Sequence, residues 1–384
     1  MRLQFELSSL LVCAAALLTF SLSPQQPGAP ATPAFIGDEK CLSCHANYRR
    51  YFGTAHHLTS QPATATSIRG SFAPGKNILK TLQPELSYRL EAKQDGFFQT
   101  GILGTPPDAI YVSERFDLVI GSGRKGQTYL YWGKEDQLFQ LPVSYWTEVD
   151  SWVNSPGYGD RSLEFSRPVV ARCLECHASF FEAVAESEVA NRYRRTNYVL
   201  GVACEKCHGP GDQHALLNAP GAPKPTQQAI VNPAKLTRER QMALCSLCHG
   251  GIGIAKAPPF SFKAGDLLED FIRLENPKPD ETLDVHGNQI ALLERSKCFK
   301  ATNMTCSTCH DVHLRQRETS EFSERCLTCH KVESCRLFPK RGRALLGKCV
   351  DCHMPNQISN VIFSTHDGVR IRPKVRNHWI KVYQ

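Results

Sequence analysis

The sequence predicts a mostly α-helical and irregular fold that is organised by a repeated cysteine motif and carries a small antiparallel β-rich insertion. The pattern Cys-x-x-Cys-His occurs seven times in 384 residues, and six of the copies lie between Cys173 and His353. Residues 79–146 contain no Cys, and apolar residues alternate there with polar ones, as in β-strands. Few stretches have the periodicity of a long amphipathic helix. The cysteine motif must therefore organise most of the chain.

Each Cys-x-x-Cys-His motif, numbered 1 to 7 along the chain, is typical of covalent haem c attachment. Two thiols add to the vinyl groups of the porphyrin, and the adjacent His binds the iron from one face. A zinc site is the weaker alternative, because zinc needs no His directly after every second Cys. We expect seven haems c. The predicted attachment residues are Cys41, Cys44, Cys173, Cys176, Cys204, Cys207, Cys245, Cys248, Cys306, Cys309, Cys326, Cys329, Cys349 and Cys352. The predicted proximal iron ligands are His45, His177, His208, His249, His310, His330 and His353.

Stacked haems would supply much of the buried apolar surface in the motif-rich region, and they would change the charge of the protein. The formal net charge of the polypeptide is +8. A ferric haem with two neutral axial ligands carries about −1 once its propionates are counted, so seven haems give about +1. We expect the excess of Lys and Arg to compensate propionates, and we expect no nucleic-acid partner.

The N-terminal residues predict export. Met1-Arg2 precedes a mainly apolar stretch over residues 10–22, which is too short for a comfortable membrane span and is typical of a signal peptide. We expect residues 1–34 to be this peptide, with cleavage between Ser21 and Ala34. An uncleaved N-terminal membrane anchor is the alternative. Because haem c is attached outside the cytoplasm, a periplasmic or otherwise exported location agrees with the motifs.

Shifts in composition divide the remaining chain into three predicted domains. These are a first haem module over 35–78, a haem-free β-rich unit over 79–146 and a hexahaem cytochrome domain over 147–384. We expect the β-rich unit to be a structural lid or a docking face, because no convergent set of acid and base residues is visible in it. Its predicted strands are Leu86–Ala92, Phe97–Ile102, Ile110–Ile120, Gln127–Trp132 and Leu138–Val143.

Seven of the 14 His residues lie outside the motifs and are candidates for second, distal iron ligands. His56 and His57 are adjacent and are not both expected to serve, so five or six irons are predicted to be bis-His. At least one iron then has another ligand or none. An exposed ring or a hydrogen bond to a propionate is the alternative for these His residues. The predicted distal ligands are His56 or the adjacent His57, with His214, His286, His313, His366 and His378. Further soft candidates, which more often fill cores, are Met242, Met304 and Met354.

Two distal candidates predict links between neighbouring haems. His313 follows His310 by three residues, and a porphyrin is too wide for His313 to reach the far face of the same iron. His214 stands six residues after His208, and we expect it to ligate a neighbouring haem too. Such an exchange of ligands would hold the haems edge to edge.

Two thiols of the mature chain lie outside the motifs, at Cys298 and Cys335. An even pair of thiols in an oxidising compartment predicts a disulfide. A free thiol or an axial thiolate is the alternative.

The motifs resemble those of multihaem cytochromes c of the cytochrome c-552/4 type, over most of Cys41–Pro355 and most strongly in the second half. The resemblance implies an electron carrier, and some relatives are haem enzymes that act on small nitrogen or sulfur compounds. Octahaem relatives have eight haems and pentahaem nitrite reductases have a Cys-x-x-Cys-Lys motif, whereas this chain has seven motifs and no such Lys. The segments that carry the resemblance are Cys41–His45 with Tyr51–His56, Cys204–Gly211 with His214, Met304–His310 with His313, and Cys349–Pro355.

These observations together predict an exported heptahaem cytochrome that passes electrons along a chain of mostly bis-His haems. The expected partners are redox proteins, among them a membrane-bound quinol-oxidising complex. The alternative is a multihaem oxidoreductase in which one open-site haem acts on a small nitrogen or sulfur compound. We name no catalytic residue from the sequence.

Seven covalently bound haems are expected when the protein is produced together with a haem-attachment system. Intact-mass measurement should show the mature polypeptide plus seven haem masses, because each motif adds one. Replacing Cys326 and Cys329 of motif 6 with Ser should remove one haem and leave the others. A count clearly below seven, or zinc in place of haem, would overturn the motif assignment.

Overall fold

A computed structural model of the chain describes residues 34–159, 161–184, 187–223, 229–251, 253–274, 283–284 and 287–383. Ala34–Gln384 gather into one compact unit. Within the described ranges, no helix has both the length and the apolar character that a membrane crossing requires. The predicted signal peptide lies outside these ranges apart from Ala34, and so does the predicted ligand His286.

Helix and strand contribute almost equally to the structure, at 28% and 26%. The prediction of a mostly α-helical and irregular fold with one small β-rich insertion is therefore wrong in its strand content, since strand is nearly as abundant as helix. The helices are short because several of them only enclose a five-residue motif, and strands occur in the motif-rich region as well as in the predicted β-rich unit. The α-helices are α1 (Asp38–Leu42), α2 (Ala171–His177), α3 (Cys204–His208), α4 (Asp212–Leu217), α5 (Arg238–His249), α6 (Gln289–Glu294), α7 (Lys297–Ala301), α8 (Thr319–Leu327), α9 (Phe338–Arg341) and α10 (Cys349–His353). Short 3₁₀ helices span Ala46–Gly53, His57–Thr59, Lys134–Asp136, Pro233–Lys235, Leu268–Asp270, Cys306–Thr308, Val332–Ser334 and Gly342–Leu345.

The strands of the described residues form two larger antiparallel sheets and several two-stranded ones. The four-stranded sheet has the order β2-β3-β4-β5. The seven-stranded sheet has the order β1-β6-β7-β8-β11, with β9 paired to β7 and β10 paired to β9. The strands are β1 (Ser60–Pro62), β2 (Ile78–Lys80), β3 (Leu86–Lys93), β4 (Gly96–Leu103), β5 (Ile110–Arg115), β6 (Leu118–Ile120), β7 (Gly126–Trp132), β8 (Leu138–Gln140), β9 (Val143–Trp146), β10 (Ser151–Asn154), β11 (Arg167–Pro168), β12 (Ala178–Ala183), β13 (Tyr193–Leu200), β14 (Gly253–Ala255), β15 (Ile272–Leu274), β16 (Asn356–Ile358), β17 (Ser364–His366), β18 (Val369–Ile371) and β19 (Lys374–Arg376).

The antiparallel β-rich unit has the predicted strands, with two divided. The predicted strand Ile110–Ile120 becomes β5 and β6, which belong to different sheets. The predicted strand Leu138–Val143 becomes β8 and β9, with Pro142 between them, because proline has no N–H to donate to a strand ladder. Strands β1, β10 and β11 lie outside residues 79–146, so the sheet also includes neighbouring segments. The three predicted domain boundaries stay a prediction.

A core rich in aromatic side chains combines residues of both larger sheets. Trp152 is buried in it, and its indole N–H donates to the carbonyl of Ser71 at 2.8 Å. A Cβ atom at Gly70 would lie 2.6 Å from the Trp152 ring, and the φ of Gly70 is +99°, so only glycine allows this approach. Phe116 and Tyr129 pack edge to face nearby, with ring centres 4.6 Å apart. Burying each of these large rings contributes about 2–3 kcal/mol.

A second core joins the seven-stranded sheet to motif 2. Leu174, a variable residue inside the motif, is buried with Leu118 and Leu130 of the sheet. Phe181 of β12 and Tyr193 of β13 complete this cluster. The second motif therefore packs directly against the seven-stranded sheet (the β framework).

Candidate haem and iron-ligand sites

The motifs fold as single helical turns. In motif 1 the N–H of His45 donates to the carbonyl of Cys41 at 2.9 Å, and in motif 5 His310 donates to Cys306 at the same distance. Residues three and four positions apart share one face of such a turn. The two thiols and the His of a motif therefore face one side, which is the arrangement that attachment of a porphyrin and ligation of its iron require.

Four motif His rings each face a second His ring from another part of the chain. The ring centres of His45 and His214 are 6.2 Å apart, with 18° between the ring planes. The centres of His208 and His313 are also 6.2 Å apart, with an angle of 23°. The other two pairs are His310 with His378, at 6.3 Å and 25°, and His56 with His249, at 6.2 Å and 73°.

These separations fit an iron atom between the rings. With metal–nitrogen bonds of about 2.0 Å, and ring nitrogens about 1.1 Å from the ring centres, two imidazoles on opposite sides of one metal have centres about 6.2 Å apart. Rings stacked face to face would be closer, as Phe52 and His57 are at 4.4 Å, whereas edge-to-face pairs such as Phe72 and Phe116 reach 6.1 Å. The spacing therefore separates the three near-parallel His pairs from direct stacking. The four His pairs therefore have the spacing of bis-imidazole ligation.

Backbone carbonyls orient several of these rings. The Nδ1 atom of His208 lies 2.8 Å from the carbonyl oxygen of Val231, and that of His378 lies 3.2 Å from the carbonyl oxygen of Arg376. Nδ1–H is then the donor, and Nε2 stays available for a metal. In motif 2, Nδ1 of His177 lies 3.2 Å from the hydroxyl oxygen of Thr59.

The remaining candidate ligands have other neighbours. His57 places Nε2 3.2 Å from the Asp38 carboxylate, which separates its role from that of the adjacent His56. His366 lies in β17 with Nδ1 3.1 Å from the carbonyl oxygen of Trp152. Predicted ligand His286 lies outside the described residues.

Thiols of different motifs lie side by side. A hydrogen bond with Cys248 lowers the pKa of the Cys176 thiol to about 7, and one with Cys306 raises the pKa of the Cys245 thiol. Burial and the nearby Asp38 raise the pKa of Cys204, which also borders Cys41. The attachment points of motifs 2 and 4, of motifs 4 and 5, and of motifs 1 and 3 are therefore adjacent.

The predicted disulfide between Cys298 and Cys335 is wrong, because both residues are free thiols. Each thiol lies beside a different motif. Cys298 of α7 borders Cys309 of motif 5, and Cys335 borders Cys349 of motif 7. These surroundings were not visible in the sequence, where an even number of thiols was the only signal.

Buried carboxylates inside two motifs dock the motifs on other segments. Glu205 of motif 3, which is only 2% exposed, accepts hydrogen bonds from the backbone N–H groups of Ile36, Gly37 and Gly211 at 2.8–2.9 Å. The carboxylate of Asp38 accepts the N–H of Cys204 at 2.8 Å, so motif 3 and the segment just before motif 1 bind each other through two carboxylates.

Motif 2 binds motif 4 in a similar way. Arg172 donates to the carbonyl of Leu247 at 2.7 Å and forms an ion pair with Glu175 at 3.6 Å. Glu175 in turn accepts the N–H of Phe260 at 2.8 Å. Sequence reasoning missed these docking residues, and the only available signal was an acidic residue at a variable motif position.

Comparisons with known proteins agree with this geometry. The family Cytochrome c554 and c-prime matches residues 160–209. The C-type polyheme cytochrome OmcC of Geobacter sulfurreducens is 22% identical over 223 residues, which cover 52% of this chain and 28% of that protein. These matches support a multihaem c-type cytochrome. Such a cytochrome implies covalently attached haem c. The chain spans less than a third of the length of that relative. No solved structure matches this chain.

The docking of motif 1 generates one prediction. Glu205→Ala should lower the free energy of unfolding by about 2–5 kcal/mol, because three N–H groups lose the buried carboxylate that accepts their hydrogen bonds. Limited proteolysis should then cut the chain before motif 1. The control is Glu182→Ala, which removes an exposed partner of Arg194 and should leave the proteolysis pattern unchanged. Equal protection of both variants would contradict the docking role.

A second prediction concerns pH. Burial and the facing ring of His56 lower the pKa of His249 to about 4, and burial and His378 do the same for His310. Below pH 6.5 the unfolded chain binds protons at these rings and the folded chain does not, so stability should fall as the pH drops towards 4. Iron binding acts in the same direction, since a protonated imidazole cannot bind a metal.

The measurement is the denaturant midpoint of the haem-loaded protein between pH 7 and 4. The loss should be smaller than the full pKa shifts imply, because His249 and His310 are both exposed residues and water screens their rings in part. A midpoint that stays constant over this range would contradict the prediction.

Proposed function

We propose that this chain is an exported heptahaem c-type cytochrome that passes electrons along a chain of mostly bis-His haems. The observation that carries the proposal is the set of four His pairs at 6.2–6.3 Å, each joining a motif His to a second imidazole. An iron with two imidazole ligands has no free position for a substrate and is suited to electron transfer. Haem iron, when bound, supplies one-electron chemistry between Fe(III) and Fe(II).

The proposed ligand set follows these pairs. His214 is the distal ligand at motif 1, and His313 is the distal ligand at motif 3. His56 serves motif 4 and His378 serves motif 5. His286 and His366 remain candidates for the other three irons. The proposed proximal ligands are His45, His177, His208, His249, His310, His330 and His353.

The proposed pairing also keeps the haems close to each other. His214, the proposed distal ligand at motif 1, lies six residues after His208 of motif 3. His313, the proposed distal ligand at motif 3, lies three residues after His310 of motif 5. Adjacent attachment thiols, such as Cys176 and Cys248, support the same conclusion. Electrons move quickly between haems only when the haems are close together, so a series of adjacent haems can transfer electrons through the protein.

Export and partners belong to the same proposal. The apolar N-terminal stretch supports a signal peptide and a periplasmic or otherwise exported location. We propose redox proteins as partners, with a membrane-bound quinol-oxidising complex as one candidate donor. The predicted β-rich unit would be a docking face for such a partner. Similarity to a polyhaem cytochrome supports electron transfer as the activity.

One observation favours a second candidate, a multihaem oxidoreductase with an open-site haem acting on a small nitrogen or sulfur compound. Among the residues that the structure describes, no second His ring stacks on or packs against His330 or His353. An iron at motif 6 or 7 without a second imidazole would have a free position.

Electron paramagnetic resonance of the oxidised protein tests both candidates. Mostly low-spin signals are expected from a carrier, whereas a high-spin signal that responds to nitrite or hydroxylamine would favour the enzyme. The adjacent His residues give a matched pair of variants. His56→Ala should convert one low-spin haem to high-spin, because His56 faces His249, and His57→Ala should not, because His57 faces Asp38. The same result from both variants, or a mainly high-spin wild type, would refute the proposal.

A further inference from the structure

Residues 356–383, which follow motif 7, form a hairpin arm. Strands β16 and β19 pair at its base, and β17 and β18 pair at its tip. Asp367 and Gly368 form the turn between β17 and β18, with φ angles of 47° and 77°. Two successive residues with positive φ are typical of a type I′ turn, whose twist matches that of a two-stranded hairpin.

The arm is fixed at both ends. At the base, the Arg376 guanidinium donates to the carbonyls of Val350 and Met354, at 2.9 and 2.8 Å, which ties the arm to motif 7. At the tip, the hydroxyl of Ser364 donates to the carbonyl of Asn154 in β10. The arm therefore spans from the last motif to the β framework.

The segment Asn377–Lys381 of this arm reaches two iron sites. His378 faces His310 of motif 5 across 6.3 Å. Three residues later, the carbonyl oxygen of Lys381 lies 2.9 Å from Nδ1 of His353, the His of motif 7. The N–H of Lys381 also donates to the carbonyl of His353 at 3.3 Å.

Ser296, which precedes α7, holds the segment Asn377–Lys381 by two hydrogen bonds. It is fully buried, and its hydroxyl oxygen accepts the N–H of Ile380 at 2.8 Å. The same hydroxyl donates to the carbonyl of His378 at 3.3 Å. One side chain thus fixes the backbone on both sides of Trp379, between the ring that faces His310 and the carbonyl that faces His353.

We propose that Ser296 is a positioning residue, and that it holds Asn377–Lys381 as a strap serving two haems: His378 as distal ligand at motif 5, and the Lys381 carbonyl as the acceptor that orients His353 at motif 7. This inference rests on the proposed bis-His ligation at motif 5. A hydrogen bond from Nδ1–H to a carbonyl fixes the direction of an imidazole and raises its basicity as a ligand. A more basic ligand favours Fe(III), so loss of this bond raises the reduction potential.

The test uses the haem-loaded full-length protein, with the haem count checked for every variant. Ser296→Ala should convert part of one low-spin signal to high-spin and should raise the reduction potential of a second haem. Ser296→Thr keeps the hydroxyl and should restore both properties. The matched control is Ser359→Ala, because Ser359 is equally buried in the same arm, donates to Asp284 and accepts the N–H of Ile362.

A pair of variants in the arm separates this inference from the proposed function. His378→Ala should convert one haem fully to high-spin, whereas Val369→Ala, an exposed residue of β18 at the tip of the same arm, should leave the spectrum unchanged. If His378→Ala has no effect, the ligand assignment fails and with it the proposed function at motif 5. If His378→Ala acts as expected but Ser296→Ala matches Ser359→Ala in spectrum and potentials, the positioning role alone is refuted.

Discussion

An iron shared by two imidazoles requires ring centres about 6.2 Å apart on opposite sides of the metal. This distance constrains the whole chain, because each of the four pairs joins segments that are far apart in sequence. His45 near the N-terminus faces His214, and His56 faces His249 of α5. The backbone between the two His residues of a pair must bring their rings to this separation within a fraction of an ångström. Many of the remaining contacts hold the paired segments in position.

The β framework contributes to this positioning. Strand β1 begins at Ser60, immediately after the segment that carries His56 and Thr59, and pairs with β6 in the seven-stranded sheet. At the other side of the framework, β10 accepts a hydrogen bond from Ser364 at the tip of the hairpin arm. Strand β10 also carries Trp152, which is buried in the aromatic core. The sheet therefore fixes the backbone next to the ring that faces His249.

Charges buried inside the motifs supply the contacts between them. A carboxylate in a low-dielectric interior is costly unless hydrogen bonds satisfy it, and Glu205 is satisfied by three backbone N–H groups. The cost of leaving these groups unpaired makes the contact between motif 3 and the segment before motif 1 specific. Glu175, with Arg172 and Phe260, provides the corresponding contact of motif 2. The variable positions of the motif therefore carry structural information that its Cys and His residues do not.

The sequence alone determined the features that depend on neighbouring residues. The Cys-x-x-Cys-His spacing predicts the attachment chemistry because both thiols and the His lie on one helical turn, and alternation predicted most strands of the β-rich unit because side chains alternate across a strand. Only the tertiary structure decided that His56 rather than His57 faces a motif His, that Cys298 and Cys335 are free thiols, and that strand is nearly as abundant as helix. These outcomes depend on how distant segments meet, and local spacing contains no information about such contacts.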